Sequence, residues 1–260
     1  MSDIELHIAD GIASIVLNRP HRKNAFTLAM IAEWASMLEA IRVDREVRVV
    51  VLRGNGGAFC SGIDLAELEG TEIDALAWKT ILAEKIHRIA FAMEDLDKPV
   101  IASVAGAAIG AGMDMALMCD MRIAGRSARF SEGYVRVGLV PGDGGCFWLP
   151  RLVGPAKALE LLLTGDFVDA DEAQRLGIVN SVVEDDALDA ATTAFAKRLA
   201  DGPPIAIRMI KRAVYQSMRT DMRTALDLIS SHMGVVTQTE DSREAFRAFR
   251  EKRPPKFTGR

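Results

Sequence analysis

An α/β fold with an all-helical end is what this 260-residue sequence predicts. Three observations carry that reading. Short β-branched runs lead into glycine-rich turns. Strand, glycine turn and helix then recur through the middle of the chain. After Pro141 only helical patterns remain, apart from turns. Glu5–Ile8 and Ile12–Asn18 flank Asp10-Gly11, a dipeptide suited to a type I′ hairpin. Asn24–Arg42 sets Leu28, Ile31, Trp34, Leu38 and Ile41 at helical spacing, and Val47–Arg53 reads as a buried strand running into Gly54-Asn55-Gly56-Gly57. Glu67–Leu96 reads as an uneven helix that Lys98-Pro99 stops. Val100–Val104 is a short buried strand, Gly106–Gly112 a turn into a helix through Cys119, and Met121–Ala124 a further strand. Helices are expected over Ala156–Leu163, Ala170–Leu176, Asp186–Ala200, Pro203–Met218, Thr220–His232 and Ser242–Arg250. The division expected is a core over 1–195 and a helical region over 196–260.

The composition narrows the partners. Half of the chain is apolar (49%), and 32 basic against 36 acidic residues give a net charge of −4. There is no excess of positive charge to release counterions from a nucleic acid, and with 6% aromatic residues a base-stacking platform is not expected either. Cys60, Cys119 and Cys146 form no CxxC pair, which points away from disulfides and zinc and toward a reducing cytoplasm. No secretory leader is read at Met1–Asp10. Val100–Met118 is long and nearly uncharged, but it is mostly Ala and Gly and contains Asp114, so a membrane span is not expected. His7, His21, His87 and His232 are scattered and read as surface or packing residues, and no metal set emerges.

Two glycine-rich turns stand out as places for chemistry, Gly56–Leu65 and Ala105–Asp114. Small residues let a ligand approach the main chain, and a helix start leaves N–H groups unsatisfied. Two such turns face to face would offer two donors to one oxygen, an oxyanion hole. The same glycines also serve close packing or positive φ, and the residues alone leave both readings open. Nucleotide and nucleophile signatures are missing: Met115 breaks GxGxxG, and Phe59-Cys60-Ser61-Gly62 is not GxSxG.

From about residue 10 onward the chain resembles the crotonase superfamily, the enoyl-CoA hydratase/isomerase family. The matching segments are Leu17-Asn18-Arg19-Pro20 with Lys23-Asn24-Ala25, Gly57–Leu65, Lys98–Ala102 leading into Gly106–Asp120, and Gly138–Gly145. Leu149–Gly154, Leu163-Thr164-Gly165 and the ending Lys252–Phe257 follow in order. The resemblance implies a ββα spiral core with a C-terminal α-helical region, and trimers or dimers of trimers. It also implies an acyl-CoA thioester as substrate, with coenzyme A entering only as part of that substrate and no further cofactor. By position, the backbone N–H groups of Ser61 and Ala111 would hold the thioester oxygen as an enolate forms. Lys23, Ala25, Ser61, Gly62 and Asp64 would lie near the CoA moiety.

The departures from that family bear on the reaction. Its hydratases position water with two glutamates, whose places align here with Asp114 and Tyr134. Asp114 keeps a carboxylate but loses a methylene, drawing its oxygens back by roughly 1–1.5 Å. Tyr134, with an ordinary pKa of about 10, is neutral at pH 7. Asp143, in Pro141-Gly142-Asp143-Gly144-Gly145, offers a replacement acid, or alternatively a cap for the following helix. Glu132 is a further candidate. Asp114 and Asp143 as proton carriers with Tyr134 orienting suit double-bond isomerisation, with hydration second. A β-dicarbonyl (C–C) hydrolase and a non-catalytic acyl-CoA binder are the remaining alternatives.

Overall fold

The computed structural model describes residues 2–67 and 74–260. Strands β1 (Ile4–Ala9) and β2 (Ile12–Leu17) pair antiparallel across Asp10-Gly11, both at positive φ, as a type I′ turn requires. Helix α1 (Leu28–Val43) starts later than Asn24, because Asn24 itself sits in the left-handed region and Thr27 caps the helix by accepting the Met30 N–H. Its inner face is Met30, Ile31, Trp34, Ala35, Leu38 and Ile41. After β3 (Val49–Gly54), the start of the helix expected over Glu67–Leu96 falls partly outside the described residues. The rest is α2 (Ala75–Ile81), one wide π-turn (Leu82–Ile86) and α3 (His87–Asp95).

Next come β4 (Val100–Val104), β5 (Ala107–Ile109), α4 (Ala111–Met118), β6 (Met121–Gly125) and β7 (Arg129–Ser131). They are followed by α5 (Gly145–Val153), α6 (Pro155–Thr164), β8 (Val168–Asp169), α7 (Ala170–Arg175), β9 (Ser181–Val183) and α8 (Leu188–Ala200). Helices α9 (Pro204–Ser217), α10 (Met222–Val236) and α11 (Glu240–Glu251) end the chain.

The main sheet runs β1-β2-β3-β4-β6-β9, parallel from β2 onward. One face carries the large core around Phe26, Trp34, Phe59 and Phe130; the other packs on α8 through Leu188, Ala196 and Ala200. Residue 195 thus falls inside α8, a helix that packs on the sheet. A second sheet, β5-β7-β8, was not visible in the sequence, since two- and three-residue strands carry too little alternation. The apolar stretch Val100–Met118 is interior: all of β4 and all of α4 are buried. Among the described residues no helix is long and apolar enough to cross a membrane.

Main-chain bonds stitch the two glycine turns together. The Phe59 and Cys60 N–H groups donate to the Ala107 carbonyl, and the Ile109 N–H returns to the Cys60 carbonyl at 3.0 Å. Glycine is obligatory where they cross: a Cβ on Gly106 would lie 2.2 Å from the Gly57 oxygen, and one on Gly112 2.1 Å from the Cys60 oxygen. The fully buried Asn24 holds the first turn from below. It accepts from the Arg19 N–H and donates to the Asn55 and Ala58 carbonyls at 2.7–2.9 Å. Asn24→Ala leaves those groups unpartnered and is expected to cost about 2–4 kcal/mol. The check is a urea melt, in which the midpoint falls while the slope stays unchanged.

Candidate functional site

The loop after β3 carries Ser61, Gly62, Ile63 and Asp64, and the start of α4 carries Ala111 and Asp114. The structure brings these together: a Cβ on Gly62 would lie 3.5 Å from the Ala111 nitrogen. It also corrects the choice of donor. The Ser61 N–H is already given to the Lys23 carbonyl at 3.0 Å, so it is spent inside the protein. Pairing of the loop with Phe26 alternates the direction of its amides. Phe26 N–H donates to the Gly62 carbonyl and Asp64 N–H to the Phe26 carbonyl, which turns the Ile63 N–H to the opposite side. Among the described residues no acceptor is found for the Ile63 or the Ala111 N–H. Ala111 opens α4, where first-turn amides have no partner within the helix. The missed signal was the strand-like alternation across Ser61–Asp64, which an isolated bridge does not reveal in sequence.

The residues read as lying near CoA surround this loop. Lys23 is exposed at the end of a 3₁₀ turn with φ 50°, and Ala25 is buried with its carbonyl bonded by Arg19 Nη1 at 2.7 Å. The Asp64 carboxylate lies 2.9 Å from Arg19 Nη2, and that hydrogen bond holds its pKa below the usual range. Its part is thus to brace the turn. Gly62, at φ +95°, adopts a conformation that favours glycine.

The acids gather at one point. Tyr134 Oη lies 2.7 Å from Asp114 Oδ2 and 2.7 Å from Asp143 Oδ2. Asp114 comes from α4, Tyr134 from the 3₁₀ turn Gly133–Val137, and Asp143 from the loop before α5. Asp143 does not cap α5, since the N-cap is Gly144 and no side chain caps that helix. Nor is Asp114 a structural carboxylate held by amides: Oδ1 has no partner, and Oδ2 takes only the phenol. Glu132, fully buried with both oxygens unpartnered, joins the cluster. A Cβ on Gly145 would come within 2.6 Å of Asp114 Oδ1 and within 2.7 and 2.8 Å of the Glu132 oxygens, so a side chain there would have to push the carboxyls aside.

Burial governs the protons here. It raises Asp114 well above the ordinary carboxyl range, and the charges of Glu132 and Asp143 add to the effect. Burial also raises Asp143, against the Tyr134 hydrogen bond and nearby His87, which lower it. Tyr134 is raised by burial and by the two aspartates. The bond pattern requires the same conclusion independently. One phenol proton cannot be donated to two carboxylates, so the hydroxyl donates to one and accepts from the other, which is then protonated. Cys60 is buried, with its thiol pushed up to about 12, whereas Cys146 is exposed. Met113, Met115 and Met118 are core residues. Cavities of about 560 and 570 Å³ lie against α9, both lined by Trp148, and neither includes Asp114, Tyr134 or Asp143.

Glu132 is raised from 4.5 to about 7, first by burial. Below about pH 4.5 it carries its proton in both folded and unfolded chains. As pH rises through about 7 the folded state must bear a buried charge, and stability falls. Glu132→Gln removes that charge, so its melting temperature should exceed the wild type's at pH 8 and differ little at pH 5. The gap should be on the order of 2–3 kcal/mol, read by thermal melts across this range.

Comparison with known proteins shows the family. The family model for enoyl-CoA hydratase/isomerase matches residues 7–260. A probable enoyl-CoA hydratase of Rhodobacter capsulatus is 39% identical over 99% of this chain and 98% of its own length. The 1,2-epoxyphenylacetyl-CoA isomerase of Escherichia coli is 34% identical over the whole of both chains. The crystal structure of an enoyl-CoA hydratase from Bacillus anthracis superposes with a TM-score of 0.95 at 34% identity, covering 100% of each chain. The chain belongs to the enoyl-CoA hydratase/isomerase family.

Proposed function

We propose that, of the two reactions for which its relatives are named, this protein carries out isomerisation, moving the double bond of an enoyl-CoA thioester by proton transfer. The observation that carries the reading is the Tyr134 hydroxyl lying 2.7 Å from both Asp114 and Asp143. Its oxygen fills the gap where a water held by two carboxyls would have to stand. The site then holds one protonated and one ionised carboxyl side by side, the acid and the base that a proton shift needs.

In the reaction, the thioester oxygen sits against the Ile63 and Ala111 N–H groups. The ionised carboxylate removes a proton from the α carbon of a β,γ-enoyl-CoA. The electron pair of that C–H bond forms a π bond between the α carbon and the thioester carbon as the carbonyl π pair moves to oxygen, giving a dienolate that keeps its β,γ double bond and bears its negative charge on the oxygen facing the two amides. The protonated carboxyl then delivers its proton to the γ carbon: the β,γ π pair takes it, the enolate π pair shifts to the α,β position, and the carbonyl is restored in a conjugated thioester. Tyr134 passes a proton between the aspartates and resets the pair. Lys23 and the main chain around Ala25 and Gly62 lie on the side of the loop suited to the CoA moiety, which arrives as part of the substrate; no separate cofactor enters this scheme. Neither a β-dicarbonyl hydrolase nor a non-catalytic binder draws support from the relatives' names.

The exposed apolar residues Leu226, Met233, Phe246 and Phe249 on α10 and α11 support assembly as a trimer or dimer of trimers. Three free cysteines support a reducing, cytoplasmic setting.

Incubation of a β,γ-enoyl-CoA in D₂O tests the reaction. Conjugated thioester with deuterium at the γ carbon is expected, and 3-hydroxyacyl-CoA as the main product would overturn the reading. Asp114→Asn and Asp143→Asn should each lower kcat at least about a hundredfold, and Tyr134→Phe by about ten- to a hundredfold with KM little changed. Sedimentation as a monomer would remove the assembly proposal.

A further inference from the structure

The loop that carries Asp143 has little of its own to hold it. Among the described residues, none of the amides of Val140, Gly142, Asp143 and Gly144 donates a hydrogen bond, Pro141 has no N–H to donate, and Val140 is 80% exposed. Asp143 Oδ1 has no partner, and its side chain caps no helix. Asp114, by contrast, sits in the first turn of a helix whose every residue is buried. One partner of the shared proton is thus built into the core, while the other rides on a segment that needs an outside anchor.

That anchor is on the helical segment before β4. His87 Nε2 lies 2.8 Å from the Gly142 carbonyl, one residue from Asp143. A carbonyl only accepts, so Nε2 carries the proton in this contact. Next to it, a Cβ on Gly142 would come 3.1 Å from Leu82 Cδ2, so the loop lies close against the same segment at a second point. Leu82–Ile86 is the single π-turn in the helix, and His87 is the first residue after it. Such a widened turn shifts the facing of the residues that follow relative to a regular helix, and it is frequent at functional sites. Phe91, one turn on, meets the His87 ring edge to face at 6.3 Å between centroids and backs it.

We propose that His87 is a positioning residue of the active site: by holding the Gly142 carbonyl it fixes the loop and keeps the Asp143 carboxyl within hydrogen-bond reach of Tyr134. Its effect is one-sided. When the contact is lost, the Tyr134–Asp143 pair opens while the Tyr134–Asp114 pair stays closed, because nothing in α4 depends on His87.

His87→Phe keeps the ring volume and removes the donor, His87→Ala removes both, and His87→Gln places an amide N–H near the position of Nε2. In crystal structures, His87→Phe should lengthen Tyr134–Asp143 beyond 3.5 Å with Tyr134–Asp114 still near 2.7 Å, and His87→Gln should restore both. This measurement does not depend on which reaction the site performs, and an unchanged Tyr134–Asp143 distance in His87→Phe overturns the proposal. Should His87→Phe fail to fold, His87→Ala is read in the same way.

The kinetic arm rests on the isomerase reading. Deuterium uptake from D₂O is followed separately at the α and γ carbons of a bound enoyl-CoA, with Asp143→Asn as reference. His87→Phe should slow the same position that Asp143→Asn slows, by about tenfold or more, leave the other within about twofold, and recover with glutamine. Equal loss at both positions, or none at either, counts against His87. If the wild type exchanges at neither position, the isomerase reading fails, and the distances still decide the role of His87.

Discussion

Everything in this site depends on two glycine turns being pressed together until their main chains bond. Ala107 receives two amides from the first turn, Cys60 receives one from the second, and no side chain fits at Gly106 or Gly112 where they cross. This close approach brings the Ile63 and Ala111 amides near one another, from different segments, with no acceptor of their own among the described residues. Amides that are unpaired in the resting protein cost stability, which the surrounding bonds must offset. In return they are oriented before any substrate arrives, so no reorganisation is needed when charge develops on an oxygen.

The acid cluster follows from the same compression. Gly145 leaves room for oxygens where a Cβ would stand, and Asp114, Glu132 and Asp143 are buried within a space too small for full ionisation. Tyr134 makes the arrangement workable. A phenol between two carboxyls obliges them to differ in protonation, so acid and base coexist in one pocket at one pH. Its hydroxyl oxygen takes up the space between the Asp114 and Asp143 carboxyls.

Much of this was legible in the residues. The hairpin at Asp10-Gly11, β4, the helices from α6 onward and the two glycine turns were all readable from period and turn chemistry, whereas Ala111, Asp114, Tyr134 and Asp143 became candidates through the family resemblance. What escaped has a common cause. The strands β5, β7, β8 and β9 are too short to carry a period. The start of α1 shifted because Asn24 serves three groups from other segments instead of opening a helix. The boundary at 195 fell inside α8 because an amphipathic helix looks the same whether it covers a sheet or stands in a tail. His87 read as a packing residue because the loop it bonds lies 55 positions away.

Residue types and their order were enough to establish the family and the kinds of group available, since turns and amphipathic periods are local properties of the chain. Which amide stays free was decided only by folding: a backbone N–H points where strand pairing turns it, and pairing with Phe26 spends the Asp64 amide while the Lys23 carbonyl spends that of Ser61. Where the protons reside was likewise settled by folding, because burial and the approach of distant carboxyls, not the identity of any one acid, set their affinity for a proton.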